Sequence, residues 1–422
     1  MALRFLVEEE LADPSAPLAD ETSKETSTPQ VPKAQASILL MAYTNRAVDE
    51  ICGMLCNAGL PFVRLGSEYS CDPVFRPNLL NRLVAASPNL NAVRSLLQHV
   101  SIVVGTTASL MARPFVFAIR DFSLAIVDEA SQILEPSIIG LLARPSAISQ
   151  GNAIQRFILI GDHKQLPAVV QQSPEESAVD DPLLTSIGIS DCRRSLFERL
   201  LATHVGKDPQ PVGILQRQGR MHPDIAAWPS AMFYHHEQLQ PVPLPHQKEP
   251  TTEPRMVFIP VDAVRETADG TTMPSDKANR AEAEVVARLL QQVYEEYGDR
   301  FNIISTIGVI VPYRNQITMI RRAIEALNQP LLMDISIDTV ERYQGSQRDI
   351  IIYSTTVSHR YQLDFLTANT FFDQEMAVDR KLNVALTRAR CRMFIVGHEP
   401  TLRQNPLYAS LIEYIKRGEG PH

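Results

Sequence analysis

Residues Phe122–Pro136 read FSLAIVDEASQILEP. Within them Leu124–Val127 is an apolar run of strand length, followed at once by two carboxylates, Asp128 and Glu129. A continuous apolar run is the pattern of a strand buried on both faces, as in a parallel sheet covered by helices. In open α/β sheets ligands collect beyond the carboxyl ends of the strands. Two adjacent acids there are unfavourable unless a cation or a proton transfer uses them. One acid can hold Mg²⁺ while its neighbour activates a water. A solvated turn is the other reading of the same residues, and the rest of the chain decides between them.

Outward from this stretch the same alternation repeats. Upstream, Ser37–Ala42, Phe62–Leu65 and Ser101–Val104 read as strands, with a helix over Ala47–Ala58 and proline-broken helix over 72–99. Downstream, Ile133–Ala143 reads as a helix and Phe157–Ile160 as a strand that ends in GDHKQLP, before a loop over 173–191 and a helix over Ser195–His204. A second unit repeats the pattern. It has strands at Met256–Val261, Ile307–Val311, Asp349–Thr355 and Arg392–Val396 and helices near Asp224–Phe233, over Asn279–Tyr297, over Ile317–Leu327 and from Leu382 to Arg388. Strands alternating with helices predict an α/β fold with mainly parallel sheets. The division is into residues 1–205 and 206–422, and no sequence repeat relates the halves. Before the first strand, Leu3, Leu6, Val7 and Leu11 mark one helix face, and 13–37 has the composition of a disordered loop.

The totals agree with this class. A chain of 422 residues with 45% hydrophobic and 21% charged content is globular and too long for one ordinary core. Its net charge of −8 gives no global attraction to nucleic acid or acidic membrane, so any phosphate binding must be local. No apolar run approaches the ~20 residues of a membrane span, and the N-terminus is unlike a secretory signal. Five cysteines without a C-x-x-C pair read as reduced intracellular thiols. Cys52 and Cys56 share a helix face and read as packing residues rather than metal ligands.

The chemistry-bearing residues lie at strand ends. Gln165, in GDHKQLP, follows an apolar strand as Glu129 does, and a side-chain amide there can orient a water or touch a phosphate oxygen. Arg220 lies in QGRMHP at a helix start and Arg388 in NVALTRAR. From Arg380 to Arg392 there are five basic residues and no acid. Arg388 and Arg390 are embedded among Leu382, Val384, Ala385 and Leu386, and a partly buried guanidinium needs an anion, for which phosphate is the natural match.

The set VDEAS, GDHKQLP, QGRMHP, VPYRNQ, DTVERYQGSQRD and NVALTRAR, in this order, resembles superfamily 1 helicases. It is most similar to the branch of the nonsense-mediated-decay RNA helicase and the replication nuclease-helicase, from residue 37 onward. The resemblance implies two RecA-like domains with ATP between them. It implies that Asp128 holds Mg²⁺, that Glu129 is the general base and that Gln165 senses the γ-phosphate. Arg220 and Arg388 would be arginine fingers. Gln344, Gly345 and Gln347 would lie at the nucleotide. Thr44, Asn45, Thr106, Thr107, Tyr313 and Arg314 would line a track for single-stranded DNA or RNA, gripped through sugar-phosphate and so without sequence preference.

Three departures qualify what is implied. Gly219 stands where relatives often place a tyrosine that stacks on adenine, and Gln347 replaces a glutamate often used on the ribose. No G-x-x-x-x-G-K-[ST] phosphate loop occurs anywhere. In the family that loop and its strand precede a helix, and the helix starting at Met1 takes that place. The expectation is a helicase core that lacks this strand and loop, with two strands of the first sheet left exposing unpaired edges. Such a core is an ATP-dependent helicase or translocase that cannot hydrolyse ATP by itself; the alternative is a non-enzymatic remnant that binds nucleic acid or a partner.

Overall fold

The computed structural model describes residues 37–204, 211–248, 253–262 and 277–418. The expected N-terminal helix and the disordered loop lie outside the described residues, apart from Ser37. By their internal contacts, Met1–His163 with Pro167–Val212 form one compact unit, and Lys164–Leu166 with Gly213–His422 form a second.

The first unit is built on five parallel strands: β1 (Ile38–Ala42), β2 (Phe62–Leu65), β3 (Ile102–Thr106), β4 (Phe122–Asp128) and β5 (Ile154–Leu159), in the spatial order β2-β3-β1-β4-β5. Alternate residues leave opposite faces of a strand. Leu39, Met41, Val103, Ala125 and Val127 therefore join one core, and Ile38, Leu40, Val104, Leu124 and Ile126 another. Burial on both faces is why β1, β3 and β4 read as unbroken apolar runs. The expectation of two strands with exposed edges is corrected: the sheet is continuous, and β1, β3 and β4 are each paired on both sides. Of its two end strands, β2 is buried, whereas Gln155, Arg156 and Phe157 of β5 are exposed.

The second unit holds β8 (Met256–Pro260), β9 (Ile307–Val311), β10 (Ile337–Thr339), β11 (Arg348–Ser354) and β14 (Ala389–Gly397), parallel in the order β10-β9-β11-β14-β8. Two short pairs, β6 (Arg217–Gln218) with β7 (Gln240–Pro241) and the antiparallel β12 (Thr370–Asp373) with β13 (Met376–Asp379), stand outside this sheet. Ile310, Ile351, Tyr353, Met393 and Ile395 pack on one face, and Val309, Val311, Ile350, Ile352 and Val396 on the other. A side chain at Gly308 in β9 would force Tyr343 to move, because a Cβ there would sit 1.6 Å from the Tyr343 hydroxyl oxygen.

Several boundaries differ from the sequence reading for local reasons. The helix after Glu129 starts at Glu135, with Pro136 in its first turn and the short 3-10 turn Ala130–Gln132 before it. The loop over 173–191 contains two short helices, Pro174–Ser177 under a Ser173/Glu176 capping box and Pro182–Ser186 capped by Asp181. The helix Arg314–Glu325 begins three residues earlier than read, directly after Tyr313. The helix Arg380–Leu386, capped by Asp379, ends before Arg388. Cys52 is buried and Cys56 exposed, so the two thiols do not share one packed face. All five cysteines are free. Among the described residues no cluster of three metal-ligating side chains exists and no helix is long and apolar enough to cross a membrane.

Candidate functional site

In the first unit the site residues gather at the carboxyl edge of the sheet. Ala42 of β1 is in register with Thr106 of β3 on one side and with Asp128 of β4 on the other. Thr44, Asn45, Thr106, Thr107, Asp128 and Glu129 therefore occupy one edge. Thr44 and Thr106 are helix caps: Thr44 Oγ1 accepts from the Ala47 N–H at 3.1 Å and Thr106 Oγ1 from the Ser109 N–H at 3.0 Å.

Asp128 and Glu129 are part-buried rather than a solvated turn. Burial, reinforced by the charge of Glu129, pushes the Asp128 carboxyl up to about 6. Asp128 Oδ1 accepts from the Glu129 N–H at 3.1 Å. Glu129 itself has φ +53°, a left-handed backbone that a residue with a Cβ adopts only under constraint. The constraint is visible. The Ala130 N–H donates to Ile160 O at 2.8 Å and the Ile160 N–H to Val127 O at 2.8 Å, tying the loop after β4 to the end of β5. Gln132 Nε2 donates to Glu129 Oε2 at 2.8 Å and orients the carboxylate. Gly161 permits this approach, because a Cβ there would meet the Ser131 backbone nitrogen at 2.9 Å. Ser131 Oγ is buried and has no protein partner. The sequence reading did not single out Ser131 or Gln132, although both stand in the quoted stretch.

In the second unit Gln165, Arg220, Gln347 and Arg388 come together. Arg388 is 1% exposed. Its Nη2 donates to Gln165 Oε1 and Thr387 Oγ1, both at 3.0 Å, and its Nε to Val384 O at 3.2 Å. Arg220 donates from Nε to Gln347 Oε1 at 3.1 Å and from Nη1 to Thr387 O at 3.3 Å. The loop bearing Arg220 is clasped from below, with Gln247 Nε2 donating to Gln218 O and Met221 O at 3.1 and 2.9 Å and the His222 N–H to Arg390 O at 2.8 Å. Arg390 has Asp349 as its anion, at 2.7 Å, so the reading that it awaits phosphate is corrected. Gln344 and Gly345 lie on the turn before Gln347. Gly345 has φ +79°, and the part-buried Gln344 Nε2 has no protein partner.

Lys164 was missed as a loop cation. It is 2% exposed, with its ammonium 2.6 Å from Glu237 and 2.8 Å from Asp373, while Asn383 Nδ2 donates to its carbonyl at 2.8 Å. Nothing in local sequence signals this, because the carboxylates come from far along the chain, Glu237 from a turn and Asp373 from the end of β12. Tyr313 and Arg314 are placed apart from the arginine cluster's contacts, in a pocket at the ends of β9 and β10.

Two family models, both described as AAA domain, match residues 87–173 and 192–400. A DNA replication ATP-dependent helicase/nuclease of Arabidopsis thaliana is 28% identical over 91% of this chain and 27% of its own length. One of Xenopus laevis is 29% identical over 90% of this chain and 35% of its own. Regulator of nonsense transcripts 1 of Dictyostelium discoideum is 26% identical over 91% of this chain and 29% of its own. The chain thus spans about a third or less of the length of these relatives. The two parallel sheets, with acids ending a strand of one and buried arginine in the other, are those of a RecA-like helicase core. The chain belongs to the superfamily 1 helicases, in the branch of the replication nuclease-helicase and the nonsense-mediated-decay helicase.

Proposed function

We propose that the chain is the motor segment of an ATP-driven helicase or translocase on single-stranded DNA or RNA, with domains 1–205 and 206–422, working inside the cell. The observation that carries this is the gathering of Gln165, Arg220, Gln347 and Arg388, far apart in sequence, into one hydrogen-bonded cluster. Two guanidinium groups fixed by hydrogen bonds to Gln165, Gln347 and Thr387 suit charge that develops on a transferred phosphoryl group.

In this reading Glu129 accepts the proton of the attacking water, and Gln132 fixes its carboxylate for the task. Gln165 reports the γ-phosphate, and Arg220 and Arg388 act as the fingers. Gln344, Gly345 and Gln347 flank the nucleotide. Bound ATP and Mg²⁺ would supply the phosphoanhydride and neutralise its charge, with Asp128 as the metal ligand. Within the first unit the residues fit the metal's share of such a ligand: Asp128 and Glu129 are paired acids, and Ser131 Oγ is a buried polar atom left without a protein partner. Thr44, Asn45, Thr106 and Thr107 in one unit, and Tyr313 and Arg314 in the other, contact the strand.

The 422 residues encode no G-x-x-x-x-G-K-[ST] loop, so we assign no hydrolysis to this chain alone. A longer chain that includes the family's phosphate loop should show ATPase activity stimulated by nucleic acid and abolished by Glu129→Gln. Activity unchanged by that substitution rejects the assignment. The absent loop favours a second reading, a remnant that binds nucleic acid or a partner without turnover, and ATP hydrolysis by the 422-residue chain excludes it.

A further inference from the structure

Residues 240–248 read QPVPLPHQK and run beside the loop that carries Arg220, with β7 paired to β6. Pro241 and Pro243 fix φ and lack an N–H, so this segment is extended and has little freedom to lose on docking. The residues that alternate with them keep their N–H groups and direct them at the loop. Gln240 donates to Gln216 O at 2.7 Å and Val242 to Gln218 O at 2.9 Å. Val242 and Leu244 close over Gly219, where a Cβ would meet Leu244 Cδ1 at 3.3 Å. Pro245 then opens a single helical turn, Pro245–Lys248. From that turn Gln247, 5% exposed, binds the carbonyls of Gln218 and Met221. The chemistry proposed for Arg220 uses none of these residues.

His246 stands in the same turn and is part-buried. Its Nε2 lies 2.9 Å from Arg220 O and its Nδ1 3.3 Å from Arg390 Nη2. These two partners decide the tautomer. A carbonyl only accepts, so Nε2 carries the hydrogen; a guanidinium only donates, so Nδ1 presents its lone pair. The ring that satisfies both is neutral. Arg390 is in turn anchored to Asp349 at 2.7 Å. A chain of hydrogen bonds thus runs from Asp349 of β11 through Arg390 of β14 and His246 to the Arg220 carbonyl. Arg220 is held along its whole length: its N–H donates to Gln218 Oε1 at 3.2 Å, its carbonyl accepts from His246, and its guanidinium donates to Gln347 and Thr387. The charged and titratable groups facing His246 are Arg217, Arg220 and His222 in the loop, Arg390 with Asp349 behind it, and Lys248 in its own turn. Arg392 on β14 is taken by Glu253 and Glu296. A proton added to Nδ1 would turn an acceptor into a donor aimed at a guanidinium, in surroundings that are mainly positive.

We infer that His246 is a positioning residue for Arg220: the neutral ring ties the Arg220 carbonyl to the ion pair of Arg390 with Asp349, and protonation of Nδ1 undoes the tie. The inference rests on the proposed role of Arg220 and adds to it a residue that lies outside QGRMHP and NVALTRAR.

The test is amide hydrogen exchange read by mass spectrometry on the full chain and corrected for intrinsic rates. The loop is reported by the amides of Arg220, Met221 and His222, which donate to Gln218 Oε1 and Arg390 O. At about pH 8, His246→Ala should speed their exchange roughly fivefold, the worth of one net hydrogen bond, and leave the helix Pro406–Arg417 unchanged. In wild type, protection of the loop should fall roughly threefold between about pH 8 and about pH 5.5, the range in which an imidazole takes up a proton. His246→Gln carries both a donor and an acceptor and takes no proton, so its loop should stay protected across that range. A loop as well protected in His246→Ala as in wild type overturns the inference, and so does an equal pH response in His246→Gln. Faster exchange throughout the second unit in His246→Ala overturns the positioning role in favour of a general structural one. In the longer chain of the proposed function, His246→Ala should lower kcat and leave KM for ATP unchanged. If Arg220→Ala leaves turnover unchanged there, the proposed function fails, while the exchange measurement still decides the tie.

Discussion

Glu282 provides the sharpest test of the second unit's structure. It lies in the first turn of the helix Arg280–Tyr297 and is fully buried. Its carboxylate accepts from Ser354 Oγ at 2.7 Å, from the Thr356 N–H at 2.8 Å and from Asn279 Nδ2 at 3.3 Å. Gln316 completes the network by donating to Ser354 Oγ and to Asn279 O. Among the described residues no cation pairs with Glu282. Burial therefore outweighs the hydrogen bonds and raises the carboxyl from 4.5 to about 7. The folded state then holds a proton that the unfolded state has released, so stability falls as pH rises between these values. The contribution is fully present below pH 4.5 and lost through pH 7, a span of about 3 kcal/mol. Most of that, about 2 kcal/mol, falls between pH 5 and 8. Urea unfolding followed by Trp228, which is buried in this unit, reads it directly. Glu282→Gln keeps the shape and removes the titration. The wild-type difference in stability between pH 5 and 8 should exceed that of the variant by about 2 kcal/mol. Equal differences in the two proteins would show that Glu282 is not the buried acid described here.

Other outcomes follow from single contacts. Gly308→Ala should destabilise by about 3 kcal/mol through the clash with Tyr343, and Tyr343→Ala in the same chain should recover part of it, measured as a coupling energy. Arg199→Ala should destabilise the first unit by about 3 kcal/mol, because it strands the buried Glu135 carboxylate that Arg199 grips from both Nε and Nη2; hydrogen exchange in the helix Leu196–His204 reports it. Glu129→Gly should be more stable than Glu129→Ala by about 1 kcal/mol in thermal melts, since only glycine adopts the left-handed backbone without strain. With a thiol reagent at pH 8, the exposed Cys56 and Cys192 should react first, and Cys52, buried with its thiol pushed up to about 12, only on unfolding.

The strands were legible because burial on both faces leaves almost nothing but apolar residues, the buried Arg64 in Phe62–Leu65 being held by Asp49 at 2.7 Å. Phe62–Leu65 and Ile307–Val311 match the sequence reading to the residue. What escaped lacks such a signal. The hairpin of β12 and β13 turns at Gln374, with φ +55° and no glycine to announce it. β10 is only Ile337–Thr339, too short for periodicity. The terminal helix Pro406–Arg417 did carry its signals, Asn405 as cap and Gly418 beyond its end, and was passed over. Buried charge is the deeper limit. Lys164 and Glu282 look solvated in sequence, yet their partners arrive from residues far along the chain, and Arg388, read as partly buried, meets Gln165 from 223 residues away rather than a neighbour the sequence could name.

The left-handed Glu129 shows how those two kinds of information meet. The sequence places an acid after a buried strand but does not say that the chain must reverse there. The reversal is set by Ala130 reaching Ile160, and the room for it by Gly161, in a motif that sequence alone treats as separate. Strain of this size, of order 1–3 kcal/mol, persists only where the surroundings impose it, and it gathers at functional positions. A side chain chosen only for stability at position 129 would be glycine. Glutamate there, with Gln132 holding its carboxylate, is the arrangement that the proposed general base calls for, and this is the physical reason to substitute Glu129 first when testing that proposal.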